Sequence, residues 1–203
     1  MNTPRFQAPD AIEPACSLLQ DFLEQTVSSG AQFRAGELIK LSWSWLKVED
    51  EGGDLKITAP KPASLPMEFI DDCSDALMLT VQQRYVTDSF DAGFEGCNAR
   101  QHAIIIRDLF DCEQWFLNRM DPEKDASSGW FVGAFDSNRT PDTPDDLELI
   151  SLWELYCRKP LMAEFFLLPV GWQVVFEELP VVCFQEQAVK PQPGSYFELK
   201  FGS

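Results

Sequence analysis

The side chain most suited to acid–base chemistry is His102, the single histidine among 203 residues. It directly precedes the apolar run Ala103-Ile104-Ile105-Ile106, a pattern that predicts a buried strand. A catalytic imidazole needs a nucleophile and an orienting group beside it, and the sequence identifies neither. We therefore interpret His102 as a structural imidazole. A single histidine also excludes zinc sites built on several histidines.

The glycines form none of the motifs that cradle phosphates or expose a nucleophile. The patterns G-x-G-x-x-G, G-x-x-x-x-G-K-[ST] and G-x-S-x-G are all absent. Nucleotide chemistry and serine-hydrolase chemistry therefore have no candidate residues. We predict no catalytic residue, no metal and no cofactor, and hence a protein that is not an enzyme.

Oxygen-bearing side chains crowd a short segment that resembles a calcium loop in composition: Asp136, Asn138, Asp142, Asp145 and Asp146. An EF-hand counted from the first of these needs glycine at its sixth position and glutamate at its twelfth, where this chain has Pro141 and Leu147. We interpret the segment as a solvated acidic loop. Two carboxylates facing each other across a cleft, as in glycoside hydrolysis, stay open as an alternative, because any two of the 33 acidic residues could form such a pair. No particular pair can be named.

The net charge is strongly negative, with 33 acidic residues against 16 Lys plus Arg and a formal charge of −17. Phosphate backbones and anionic membrane surfaces would repel such a chain, so we expect neither nucleic acid nor a membrane as partner. No segment approaches the roughly 18 apolar residues of a membrane span. These features favour a cytoplasmic protein. The acidity by itself needs no binding partner to explain it, because acidic residues also keep a protein soluble.

Hydrophobic periodicity predicts the elements that position these residues. Apolar residues at helical spacing predict a helix over 12–28, and alternation from residue 37 through Trp43 and Trp45 predicts one half-buried strand. After the turn at Gly52 and Gly53, a second strand is predicted over 55–59, followed by a helix over 74–90.

In the second half, 102–110 and 113–120 are strand-like runs that predict a hairpin around Asp111 and Cys112. A strand is predicted to start at Trp130. A helix is predicted over 144–157, with Thr143 as its cap and Pro144 at its first position. A short helix over 160–167 and a strand from Trp172 follow. The expected fold class is α+β, with mixed, mainly antiparallel sheets and flanking helices, in two packed subdomains over 1–96 and 97–203.

The second half carries an ordered set of motifs: Ser128-Gly129-Trp130 followed by Gly133, and downstream Pro169-x-Gly171. This S-G-W-x(2,3)-G core with P-x-G resembles a family of bacterial immunity proteins from polymorphic toxin and type VI secretion systems. The segment 41–46, the strand to Pro60 and Leu65-Pro66-Met67 are similar to the N-terminal part of longer members. Together the resemblance covers most of residues 36–180.

The resemblance implies a non-catalytic protein that binds and neutralises a cognate secreted toxin. A nuclease is the expected toxin class, because a basic cleft would attract an acidic inhibitor. A carboxylate-dependent hydrolase and a general acidic adaptor remain the alternatives, and the oligomeric state is left open.

The densest charge predicts the toxin-binding surface, provided that the loops 121–128 and 136–143 lie together at one edge. The candidate toxin-binding residues are Asp121, Glu123, Asp125, Asp136, Asp142, Asp145, Asp146 and Glu148. The motif residues are instead expected to shape the fold without touching the toxin: Ser128, Gly129, Trp130, Gly133, Pro169 and Gly171.

Overall fold

The computed structural model describes residues 3–122 and 125–202. The chain divides into two compact units, Met1–Gln82 and Gln83–Ser203. The sequence-based division into two packed subdomains, 1–96 and 97–203, stays a prediction. Among the described residues, the structure contains no helix with the length and apolarity to span a membrane.

The first unit contains a helix near its start, the first part of a second helix, and a four-stranded antiparallel sheet whose strands are ordered as they follow in the chain. The first helix buries Ala15, Leu19 and Leu23 in the same apolar cluster as Leu46 and Ile57 of the sheet. The predicted helix over 12–28 and the predicted second strand are confirmed. The elements are α1 (Glu13–Ser28), β1 (Leu38–Leu41), β2 (Ser44–Glu51), β3 (Asp54–Pro60), β4 (Phe69–Ile70) and α2 (Ser74–Ser89), which continues into the second unit.

The single strand predicted from residue 37 through Trp45 is wrong, because the chain reverses between β1 and β2. Leu41 pairs with Ser44, and Ser42 takes a φ of 53° in the turn. A two-residue turn does not interrupt an alternation of period two, so the pattern continues through it unchanged. No glycine marks this turn in the sequence.

The second unit contains a seven-stranded sheet of order β11-β10-β9-β6-β7-β5-β8, in which β5 and β7 are parallel and the other neighbours antiparallel. With flanking helices on the covered face, this confirms the α+β class with mixed, mainly antiparallel sheets. The elements are β5 (His102–Ile106), β6 (Trp115–Arg119), β7 (Ser127–Ala134), β8 (Leu147–Ser151), α3 (Leu152–Arg158), β9 (Trp172–Phe176), β10 (Pro180–Phe184), β11 (Gln187–Ala188) and α4 (Tyr196–Phe201).

The hairpin predicted around Asp111 and Cys112 is also wrong. Strands β5 and β6 do not pair with each other, because β7 lies between them and pairs with both. A 3-10 turn over Leu109–Asp111 makes the connection instead. The hydrophobic run indicates a strand, but which strand it pairs with depends on residues far along the chain.

The helix predicted over 144–157 is replaced by three shorter elements. Thr143 and Pro144 begin only a 3-10 turn over Pro144–Asp146, and β8 follows as an edge strand paired with β5. A new cap then starts α3, where the Ser151 hydroxyl accepts a hydrogen bond from the backbone N–H of Glu154. Strand pairing has overridden the local helix-start signal.

One face of the large sheet is covered by aromatic packing. Trp130 is 1% exposed and its ring centroid lies 6.2 Å from that of Phe166, which directly follows the 3-10 segment Pro160–Phe165. Phe165 contacts Phe176 of β9 edge-on at 5.3 Å, and Phe197 of α4 packs on the same ring. This covered face holds the core of the second unit.

Candidate functional site: the open face of the seven-stranded sheet

The other face of the sheet carries a second set of apolar side chains. Because successive residues of a strand point to opposite faces, the strand register identifies which residues share this face. Phe131 lies opposite Asn118 on one side and Ile104 on the other, and Ile104 in turn lies opposite Leu149. We call this the open face, formed by Ile104, Phe116, Phe131, Phe135, Leu149, Val175 and Val181.

The open face is accessible although it is apolar. Leu149 is 66% exposed, Phe135 58% and Val181 44%. The rings of Phe116 and Phe135 lie 5.0 Å apart, so these side chains form a cluster. An antiparallel sheet with one solvated face normally alternates apolar and polar residues. Contiguous exposed apolar area of this kind indicates a surface that binds another molecule.

A hollow of about 620 Å³ indents this surface beside the end of β6. Ile104, Met120 and Leu149 supply apolar walls, and Asp121 and His102 add polar groups. His102 was expected to be a structural imidazole. Its side chain is exposed at the start of β5, and its Nδ1 lies 3.3 Å from the carbonyl oxygen of Ala126.

Carboxylates gather at one end of the strands. The ends of β5, β7 and β9 and the starts of β6 and β8 meet there, as the strand register requires. We call this the acidic end, formed by Asp108, Asp111, Glu113, Asp136, Asp142, Asp145, Asp146, Glu177 and Glu178. The cationic residues nearby are Arg107 and Arg139 in the same turns and Arg158 and Lys159 at the end of α3.

The structure does not bring the predicted acidic residues together. Four of them, Asp136, Asp142, Asp145 and Asp146, belong to the acidic end, and Glu148 follows in β8. Asp121 and Asp125 lie at the opposite end of β7, an eight-residue strand about 25 Å long. The expectation that both loop tips meet at one edge is therefore wrong, because the loops flank β7 at its two ends. Glu123 lies outside the described residues.

Two of these acidic side chains hold the local backbone. Asp136 accepts hydrogen bonds from the N–H groups of Glu113 and Gln114 at 2.9 and 3.3 Å, and the bond from Glu113 is the main reason that its pKa is lowered. Asp146 pairs with Arg139 at 2.9 Å and accepts from the N–H of Thr140. Asp142 and Asp145 are exposed and therefore better placed to meet a partner.

Sequence reasoning missed part of the acidic end and all of the open face. Asp108, Asp111, Glu113, Glu177 and Glu178 are separated along the chain, and only the strand order brings them to one end. For Asp111, Glu177 and Glu178 the available signal was their position after predicted strands. Asp108 and Glu113 fell inside the predicted runs 102–110 and 113–120 and gave no such signal. The apolar residues of the open face were visible, but an apolar strand residue is normally assigned to the core.

The S-G-W segment is held by hydrogen bonds inside the second unit. The Ser128 hydroxyl donates to the carbonyl oxygen of His102 at 2.8 Å and accepts from the N–H of Trp130 at 3.1 Å. The indole N–H of Trp130 donates to the carbonyl oxygen of Phe166 at 3.2 Å. The guanidinium of Arg119 lies 5.2 Å from the centre of the Trp130 ring.

The motif glycines stand where a side chain would collide. A Cβ on Gly129 would lie 2.2 Å from the carbonyl oxygen of Met120, and its φ of 79° also disfavours other residues. A Cβ on Gly133 would lie 2.5 Å from the ring of Phe116. Gly171 lies in the turn closed by the Trp172 N–H and the Pro169 carbonyl oxygen, and its own N–H donates to the carbonyl oxygen of Arg119 at 2.9 Å.

Candidate groups for chemistry are sparse in the described parts of the chain. Within residues 3–122 and 125–202, His, Cys, Asp and Glu form no group of three or more suited to hold a metal ion. Burial raises the pKa of the Cys73 thiol to about 12, so its reactive thiolate is scarce near neutral pH.

In a comparison with known families, residues 82–185 match a family model described as Imm33-like domain. The matched range contains the open face, the acidic end and the S-G-W and P-x-G motifs. No curated protein and no solved structure matches the chain significantly.

Proposed function

Because the chain belongs to the Imm33-like domain family, an immunity-protein family, we propose that it binds a cognate secreted toxin and neutralises it in the cytoplasm of the producing cell. The match to residues 82–185 is the observation that carries this proposal. It covers the part of the chain in which an apolar sheet face is exposed. A protein that acts by binding needs such a surface.

The proposed toxin is an antibacterial effector of a polymorphic toxin or type VI secretion system, and its proposed class is a nuclease. Enzymes that act on nucleic acids need basic clefts to attract phosphates. The net charge of −17 and the acidic end are complementary to such a cleft. Electrostatic attraction would speed association, which is useful to an inhibitor that must act before damage accumulates.

We further propose that the protein itself has no catalytic activity. A carboxylate-dependent hydrolase needs a general acid, a carboxyl group whose pKa is raised toward neutrality. The pKa of Asp136 is instead lowered, because backbone N–H groups stabilise its ionised form. This carboxylate serves the fold rather than proton transfer.

Co-expression tests the proposal. We predict that an open reading frame next to this gene encodes the toxin, and its product, which we call the neighbour-encoded toxin, is the probe. Cells that express it should stop growing, and co-expression of the full chain should restore growth. Purified chain should bind the toxin and inhibit its activity on nucleic acid in proportion to the amount added. Absence of both protection and binding would overturn the proposal.

A further inference from the structure

We propose, resting on the proposed function, that the toxin docks on the open face, with an apolar centre that covers Leu149 and Phe135 and a cationic periphery that meets the acidic end. This assigns the binding surface to the sheet rather than to the two acidic loops. It also states the chemistry of the partner: an apolar patch beside basic side chains.

The open face consists mainly of apolar side chains. Six neighbouring strands, β10-β9-β6-β7-β5-β8, contribute to it. The register also places the polar Asn118 and Gln173 on this face, and the amide N–H of Gln173 donates to the amide oxygen of Asn118 at 3.4 Å. Apolar side chains occupy most other positions, and the exposed area of Leu149 and Phe135 is in contact with water. Covering these side chains would be favourable, because it removes apolar surface from water.

The open face is smaller than the area that a stable protein interface buries on one partner. Six strands about 4.8 Å apart, taken over a common length of about five residues at about 3.3 Å per residue, define a surface of roughly 500 Å². A stable protein interface buries about 800 Å² on each partner. A partner centred on the open face must therefore extend beyond it. The acidic end borders the open face directly, since Phe135 and Asp136 are adjacent in the chain and Leu147 follows Asp146.

The carboxylates at the border of the open face indicate the charge of the partner. Asp142 and Asp145 are exposed at this border, whereas Asp146 is already paired with Arg139. A partner that covers the border removes the water around these carboxylates, so it must supply positive charge to compensate. A second copy of this chain would bring further carboxylates into the same interface. Charge complementarity therefore favours a basic protein surface over self-association.

The hollow at the other end of β5 gives the interface a place for an anchor. Its volume of about 620 Å³ can accept a large side chain, and its walls include Ile104 and Met120. Anchors that enter such hollows contribute much of the binding energy of protein complexes. Leu149 lines the hollow and also belongs to the open face, so it should make one of the largest contributions.

The test compares neutral substitutions in the open face with a matched substitution elsewhere. Leu149→Ser and Phe135→Ser, singly and combined, remove exposed apolar area. Leu199→Ser is the control, because Leu199 is 78% exposed on α4, which packs on the covered face. All variants should keep the melting temperature of the parent chain. Each is titrated against a catalytically inactive form of the neighbour-encoded toxin.

We expect the double variant to bind about 30-fold more weakly, the effect of losing a hot spot, and the control to bind as the parent does. Parent-like affinity of the double variant would overturn this surface while leaving the proposed function intact. A parent chain that neither binds nor protects would overturn the proposed function itself. Sedimentation of the chain alone should show no self-association. A dimer abolished by the double substitution, with toxin affinity unchanged, would assign the face to a second copy.

Discussion

Trp130→Ala tests whether the S-G-W segment serves the fold. The Trp130 side chain is 1% exposed, its ring packs beside Phe166, and its indole N–H donates to the carbonyl oxygen of Phe166. The substitution removes the whole ring from the covered face. Trp130 also lines the hollow beside β6, so the effect of the substitution on stability is measured before its effect on toxin binding.

The magnitude follows from these contacts. Truncation of a buried aromatic residue costs about 3–5 kcal/mol. The carbonyl oxygen of Phe166 also accepts a hydrogen bond from the Cys97 thiol at 3.1 Å, so loss of the indole donor does not leave it unsatisfied. In the described residues, Nε and Nη1 of buried Arg119 have no hydrogen-bond partner. Water that enters the vacated space could hydrate them, which favours the lower part of this range.

The assay is urea and thermal unfolding of the full chain, followed by titration with the neighbour-encoded toxin. We expect the melting temperature to fall by about 6–20 °C, from about 2–4 °C per kcal/mol for a chain of this size. Trp130→Phe keeps most of the buried area and should cost only about 1–2 kcal/mol. A Trp130→Ala variant that melts like the parent yet no longer binds would refute the reasoning, because Trp130 would then be an interface residue.

Three further predictions concern charge and catalysis. Replacing Asp142 and Asp145 by Asn should slow association with the neighbour-encoded toxin roughly 2–5-fold at low salt, with little change in dissociation. The association rate should also depend less on salt. Stopped-flow association rates that match those of the parent would place the electrostatic steering elsewhere. The lowered pKa of Asp136 means that its stabilisation is complete above its ordinary pKa and disappears as the pH falls through the lowered value. Asp136→Asn should therefore weaken the loss of stability measured below about pH 4, and a pH dependence identical to that of the parent would contradict this. Screening with phosphodiester, glycoside and ester substrates should give no turnover, and a rate that vanishes on changing one carboxylate would contradict this.

Local patterns were sufficient for several elements and for the fold class. The helix Glu13–Ser28 and the strand Asp54–Pro60 were predicted correctly, because an amphipathic stripe and a glycine turn depend on neighbours in the sequence. The S-G-W and P-x-G motifs indicated an immunity protein, which the family match to residues 82–185 supports. These features are encoded within short segments.

Strand pairing could not be predicted, because it joins segments far apart in the sequence. The runs 102–110 and 113–120 indicate strands, yet β7 separates β5 from β6. Likewise, Thr143 and Pro144 start a helix by local rules, but pairing of Leu147–Ser151 with β5 stops it after one turn. In both cases hydrogen bonds to a distant strand outweighed the local signal.

The sequence determined the charge of this protein, its apolar periodicity and its immunity-type motifs. Only the tertiary structure decided which acidic residues gather and which apolar face stays uncovered. Periodicity reports which side chains share a face, as for Ile104 and its neighbours, but not whether other elements cover that face. The order of the strands places Asp136 and Glu177 at one end and Asp121 at the other, because each strand reverses or keeps the direction of the chain according to its partner.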